Sequence, residues 1–231
     1  MTGRVLFQTA AATTILLASA GGLRPGDTSP ARAEDAGKTG IIIQAHRGAG
    51  RHLPENTLES FEYAWKIGVI PEADLRETKD GVVVAFHDAN LERLVKDIPA
   101  ELKSQGIVDL PWTKVATLDV GAWKGDRYTG QRIPRIVDVF AAMKGRADRR
   151  LYLDVKRVSL DELAAMAREQ GVTRQLILAS TRYDELRRWK KLLPEAQTLH
   201  WMGGEQKILE KRLSDLRKTG FADITQLQIH V

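Results

Sequence analysis

The chain has 231 residues, a formal net charge of +5 from 35 basic and 30 acidic residues, 43% hydrophobic content and no cysteine. That composition fits one sizeable soluble domain and argues against disorder, a collagen-like repeat or a membrane bundle. Without Cys there are no disulfides, no thiol nucleophile, no Cys-based zinc site and no lipidated cysteine. No block of like charge is long enough for a nucleic-acid tail, so nucleic acid is not an expected partner.

The first forty residues differ from the rest. Arg4 precedes the uncharged stretch 5–17, and Ala18-Ser19-Ala20 follows, with a second candidate cut after Ala31-Arg32-Ala33. Residues 1–20 therefore read as a signal peptide, 21–39 as a flexible linker and 40–231 as the mature domain. The apolar stretch is short and alanine-rich for a membrane span. A secreted or periplasmic protein with no stable span after processing is expected; an uncleaved N-terminal anchor is the alternative.

From residue 40 onward, short apolar runs alternate with helical patterns. The runs are 41–46, 69–76, 82–87, 151–156, 176–180, 198–202 and 224–231, mostly rich in Val, Ile and Leu. Such runs fit parallel strands covered on both faces. Between them, Asn56-Thr57-Leu58-Glu59 reads as a capping box ahead of the stripe Leu58, Phe61 and Trp65, with Gly68 as the stop. Pro134 opens a second helix, with Ile136, Val139, Phe140 and Met143 facing inward. Ser159 caps a third that ends near Gly171, and 184–193 and 207–218 complete the set. Residues 88–133 form a longer excursion over one face.

Alternating strands and helices imply an α/β fold with right-handed crossovers. A doubly wound sheet and a (β/α)₈ barrel both satisfy this pattern. Seven strands are visible and the chain stops at the end of the seventh, whereas a barrel needs eight, typically in about 250 residues. The barrel reading thus expects an eighth strand missing at the C-terminus.

Polar groups suited to phosphate chemistry gather at strand ends: His46 and Arg47 on the first, Glu72 and Asp74 on the second, His87-Asp88 on the third, Asp154 and Lys156 on the fourth. Side chains at i and i+2 of a strand share a face, so Glu72 points with Asp74, and Asp154 with Lys156. Ionised carboxylates inside a sheet are costly unless paired or bound to metal. A hard divalent cation, Ca²⁺ or Mg²⁺, would relieve their mutual repulsion.

The stretch QAHRGAGRHLPENTLESFEYAWKIGVIPEADLRETKDGVVVAFHD, residues 44–88, contains HRG, PENT, E-x-D, TKDG and HD. In this spacing, and with 118–123, 130–134 and Asp154-Val155-Lys156, it resembles the glycerophosphodiester phosphodiesterase family. The resemblance implies a TIM-type barrel with its site at the C-terminal strand ends. It also implies metal-dependent cleavage of a small-molecule glycerophosphodiester to glycerol 3-phosphate and an alcohol. His46 and His87 would be the acid/base pair; Arg47 and Lys156 would contact the phosphate; Glu72, Asp74 and Asp154 would hold the cation. Glu55 matches the glutamate of PENT and is expected in the site. Asp154 stands where the family usually has Glu, which shortens its reach by one methylene. Attack by water and attack by a substrate hydroxyl to give a cyclic phosphate fit equally.

Two rival readings remain at this level. One is a phosphodiesterase acting on phospholipid headgroups at a membrane surface, which exposed aromatic loops at the barrel mouth would favour; Trp112 and Trp123 lie in the long excursion. The other is a barrel that binds phosphodiesters without turning them over. His52, His200 and His230 have no evident partners, and packing is the expected role of Trp123 and Trp201. Nothing in the sequence fixes the oligomeric state.

Overall fold

A computed structural model of the chain describes Ile15–Ala18 and residues 42–230. The expected signal peptide and linker lie outside the described residues except for Ile15–Ala18, a strand (β1). Next come β2 (Ile42–Ala45), α1 (Leu58–Lys66), β3 (Ile70–Glu77) and β4 (Val83–Ala85). The excursion contributes two short helices, α2 (Ala100–Lys103) and α3 (Trp112–Val115). It is followed by α4 (Ile136–Met143), β5 (Leu151–Arg157), α5 (Leu160–Gln170), β6 (Leu176–Ser180), α6 (Tyr183–Leu192), β7 (Gln197–Gly203), α7 (Gln206–Lys218) and β8 (Gln226–His230).

Among the described residues, β2, β3, β5, β6, β7 and β8 pair side by side in parallel, in that order. β1 lies antiparallel between β8 and β2 and joins the two edges. This is a curled, TIM-type barrel wall with helices outside it. No helix among the described residues is long and apolar enough to cross a membrane.

Alternation along the strands explains why both faces are covered. Leu151 and Leu153 of β5 and Leu176 and Leu178 of β6 point outward, into a cluster with Phe61, Phe140, Leu163 and Trp189 of the helices. Their neighbours Tyr152, Ile177, Ala179 and Leu199 fill the inside instead. The Tyr152 hydroxyl donates to Gln226 Oε1 at 2.7 Å across that interior. This two-sided burial is what the near-continuous apolar runs required.

The run 82–87 does not extend the parallel series. β4 pairs antiparallel with β3, Leu75 opposite Ala85 and Glu77 opposite Val83. The reason is the length of the connection: Thr78 N–H donates to Val82 O at 2.9 Å across a turn that contains Asp80 and the left-handed Gly81. A parallel neighbour needs a crossover of a dozen or more residues, whereas a tight turn permits only a hairpin.

Two helix starts also differ from expectation. Thr57, not Asn56, caps α1, its hydroxyl accepting from Ser60 N–H at 3.2 Å. Asn56 is left-handed and turns to Asp74. Arg135 is the residue before α4, and the Pro134 carbonyl accepts from Ala85 N–H. Ser159 caps α5 and Gly171 ends it as expected.

The excursion forms a second apolar cluster, with Phe86, Leu91, Ile107, Val115, Val120 and Ile133 among its members. It closes tightly at Gly121, where a Cβ would lie 1.9 Å from Tyr128 O. Replacing Gly121 by Ala is expected to destabilise the protein by about 1–3 kcal/mol. Thermal unfolding followed by circular dichroism should show a lowered midpoint; an unchanged midpoint would mean that the turn relaxes freely.

Candidate active site

The chain leaves β2 through a sharp turn. Arg47 (φ 54°) and Gly48 (φ 82°) are both left-handed, a conformation costly for a side-chain-bearing residue. A Cβ at position 48 would approach Ser60 Oγ to 2.4 Å, the oxygen that accepts from Ala49 N–H. The turn brings the Arg47 guanidinium to Glu55 at 2.9 Å, with its Nε 3.6 Å from Asp74. The exposed His46 ring places Nε2 3.9 Å from Glu72.

Next to this turn lie the carboxylates of β3 and β5. Register puts Asp74 beside Asp154 and Glu72 beside Tyr152. Asp74 is almost wholly buried. Asn56 embraces it at both ends, its amide donating to the carboxylate at 2.9 Å and its Oδ1 accepting the Asp74 N–H at 3.0 Å. The Lys156 ammonium lies 2.6 Å from Asp154 and 3.2 Å from Asp74. Burial alone would lower its pKa, but the bond to Asp154 and the two negative charges raise it. Among the described residues, Glu72 has no such cation in bonding reach. Burial, then repulsion from Asp74 and Asp154, pushes its carboxyl up to about 8.

The third element is the segment after β4. Phe86 N–H bonds to Asp74 O at 2.8 Å, and Arg76 clasps the His87 carbonyl through Nε and Nη2 at 3.0 and 2.7 Å. His87 Nδ1 bonds to Asp88 at 2.7 Å. Arg93 grips Asp88 at 2.6 Å and reaches both oxygens of Glu55, at 2.6 and 2.9 Å. Burial works to raise the pKa of Glu55 and of Asp88. Hydrogen bonds and charge from Arg93, with Arg47 for Glu55 and His87 for Asp88, outweigh it and leave both below the usual range. His46 is lowered, chiefly by desolvation and then by the charge of Arg47, with a smaller contribution from His87. The two imidazoles thus lie within electrostatic reach of each other.

All eight residues singled out from the sequence stand in this one region. Their pairings differ from those expected: Lys156 occupies the space between Asp74 and Asp154, and Arg47 is engaged with Glu55 and Asp74. Among the described residues, no three His, Asp or Glu side chains are spaced to hold a metal ion as they stand. Asn56, Arg76 and Arg93 also belong to the site, and the sequence does not single them out for it; Asp88, expected there as a strand-end group, holds the His87 ring. Asn56 lies within PENT and was read as a cap; Arg93 lies in the excursion, where no periodicity marks it. Of the tryptophans, Trp112 and Trp123 are half-buried beneath Arg135 and beneath Arg93 and Lys124, respectively. His200 is buried and bonds Ser180 O, and His230 packs edge-on to Trp201.

The sequence profile of the glycerophosphoryl diester phosphodiesterase family matches residues 46–227. Over 161 residues the chain is 29% identical to a glycerophosphodiester phosphodiesterase of Caldanaerobacter subterraneus, covering 66% of this chain and 63% of that one. A solved glycerophosphodiester phosphodiesterase from Agrobacterium tumefaciens superposes with a TM-score of 0.58 at 26% identity, covering 68% of this chain and 65% of the other. An Oleispira antarctica phosphodiesterase solved with the product sn-glycerol-3-phosphate gives 0.58 at 28%, over 75% and 71%. The chain therefore spans a little under two thirds of the length of the first two.

Glu72 makes stability depend on pH in a definite sense. A carboxyl whose folded pKa, about 8, exceeds its unfolded value binds more protons when folded. Its contribution is fully present below the unfolded value and is lost as pH rises through about 8, by at most about 1.4 kcal/mol per pH unit. Urea unfolding of metal-stripped protein between pH 5 and 9 should show this decline, and Glu72→Gln should flatten it. Identical slopes in the two proteins would contradict the assignment.

Proposed function

The chain belongs to the glycerophosphoryl diester phosphodiesterase family, and on that premise we propose that it hydrolyses a glycerophosphodiester to glycerol 3-phosphate and an alcohol. The observation that supports this most directly is the meeting of two imidazoles, a guanidinium and buried carboxylates at one rim of the barrel. His46, with its lowered pKa, is neutral near pH 7 and suited to take the proton of the attacking hydroxyl, whether of water or of the substrate. The bond from His87 to Asp88 through Nδ1 leaves Nε2 for the substrate, and as imidazolium His87 gives its proton to the departing alkoxide. Arg47 and Lys156 supply positive charge for the phosphoryl oxygens.

We assign Glu72, Asp74 and Asp154 as the holders of a divalent cation, Ca²⁺ or Mg²⁺. An all-oxygen donor set suits a hard ion, and the raised pKa of Glu72 marks negative charge that such an ion would neutralise. When bound, it would polarise the phosphate and offset developing charge. It would compete with Lys156 for Asp74 and Asp154. Export through the N-terminal signal peptide belongs to the same proposal.

Purified mature protein is expected to release glycerol 3-phosphate from glycerophosphocholine with Ca²⁺ or Mg²⁺ and to lose that activity in EDTA. His46→Ala or His87→Ala should lower kcat by about 10²–10⁴-fold with an unchanged circular dichroism spectrum. Full activity in the double variant would defeat the proposal, and tight phosphodiester binding without product would select a non-catalytic binding barrel. Arg93 acts at one remove, as a positioning residue. Arg93→Ala should reduce kcat by about 10–100-fold and leave KM nearly constant, and Arg93→Lys should restore part of the loss. A fall in folded fraction that accounts for all of the lost activity would make its role purely structural.

A further inference from the structure

Beside the catalytic rim opens a cleft of about 360 Å³, whose walls include Asp154, Lys156, Arg76, Arg157, Arg182 and Trp201. Its positive charges are unevenly committed. Lys156 is shared between Asp154 and Asp74. Arg182 is bonded to Glu185, whose other oxygen accepts from the Ser180 hydroxyl. Arg76 bonds a neutral acceptor, the carbonyl of His87. The Arg157 side chain is exposed and, among the described residues, its guanidinium has no hydrogen bond or ion pair.

Arg76 and Arg157 are direct partners across the β3–β5 pairing, brought opposite each other by a register shift after Leu75. Like charges directly opposed on neighbouring strands destabilise a sheet. Burial lowers the pKa of Arg76 most, Asp74 and Asp88 act against that, and the charge of Arg157 adds a smaller lowering. Here two guanidinium groups face one open cleft that adjoins Lys156.

We propose that this cleft receives a second phosphate, carried on the alcohol side of the substrate and held between Arg76 and Arg157. The inference rests on the phosphodiesterase reading above and names its substrate class: glycerophosphodiesters whose leaving alcohol is itself phosphorylated. The glycerol side is uncharged and has no use for two cations, so the charge belongs to the leaving group. Planar guanidinium forks match phosphate oxygens in pairs, and a phosphate dianion would neutralise the repulsion between them.

The test compares glycerophosphoinositol 4-phosphate with glycerophosphoinositol, a pair differing by one phosphate, with glycerophosphocholine as the control for activity itself. For the wild-type enzyme at low salt, kcat/KM should favour the phosphorylated substrate by about tenfold or more, as expected for charge-assisted hydrogen bonds. Added salt should erode that ratio. Arg157→Glu should bring it to one or below, while Arg157→Lys should keep part of it. Turnover of glycerophosphocholine with equal kcat/KM for the matched pair would overturn this inference and leave the phosphodiesterase reading standing. A preference undiminished in Arg157→Glu would overturn the assignment of the cleft. Turnover of none of the three would defeat both.

Discussion

Burying a carboxylate is expensive unless cations satisfy it, and Glu55 is buried with both of its oxygens engaged by guanidinium groups. Those two groups come from opposite sides of the site. Arg47 follows β2 and the imidazole of His46; Arg93 follows β4 and, through Asp88, holds the ring of His87. Glu55 is therefore the joint between the two histidine-bearing segments. From the left-handed turn at Arg47 its guanidinium reaches both Glu55 and Asp74. Removing either arginine would leave a buried charge short of partners, an arrangement far costlier than the loss of a surface ion pair.

Around this joint, the rim separates charges that are locked from charges that are available. Asp74 is locked by Asn56, Lys156 and Arg47. Asp88 is locked by Arg93. Glu72 is the exception: it accepts only a 3.4 Å bond from Arg47 N–H, lies 3.9 Å from His46 and feels two neighbouring carboxylates. A group in that position is neutral until positive charge arrives. The same division holds among the cations: among the described residues the Arg157 guanidinium, next after Lys156 on β5, is unpaired. Of the two, Arg157 lines the cleft beside Asp154 and Lys156, and Glu72 is buried.

Much of this was legible from residue order. Two-sided burial of the strands follows from their continuous apolar runs, and i, i+2 spacing places Glu72 with Asp74 and Asp154 with Lys156. What remained hidden has physical reasons. Charge alone does not reveal that Lys156 bridges two carboxylates, because pairing depends on the register between β3 and β5. Arg93 is one basic residue in an irregular excursion, where neither helical nor strand period assigns it a direction. Arg157 looks like a solvated strand end until the register shift after Leu75 sets it opposite Arg76. Asn56 satisfies the pattern of a cap, and only the left-handed turn shows that its amide serves Asp74 instead.

The misread third strand shows how topology and chemistry can part company. A parallel strand would have delivered His87 to the rim by ending there, as β2 delivers His46. The chain reaches the same place by a different path. β3 runs three residues past the level at which Asp74 faces Asp154, as far as Glu77, turns, and sends β4 back along itself. Phe86 N–H then meets Asp74 O, so the next residue, His87, arrives at the level of Asp74, where its ring bonds Asp88. The length of the hairpin sets this arrival: one residue added to the turn or removed from it would carry the imidazole to the opposite face of the strand. The short turn between Thr78 and Val82 thus helps to set the geometry of the candidate site.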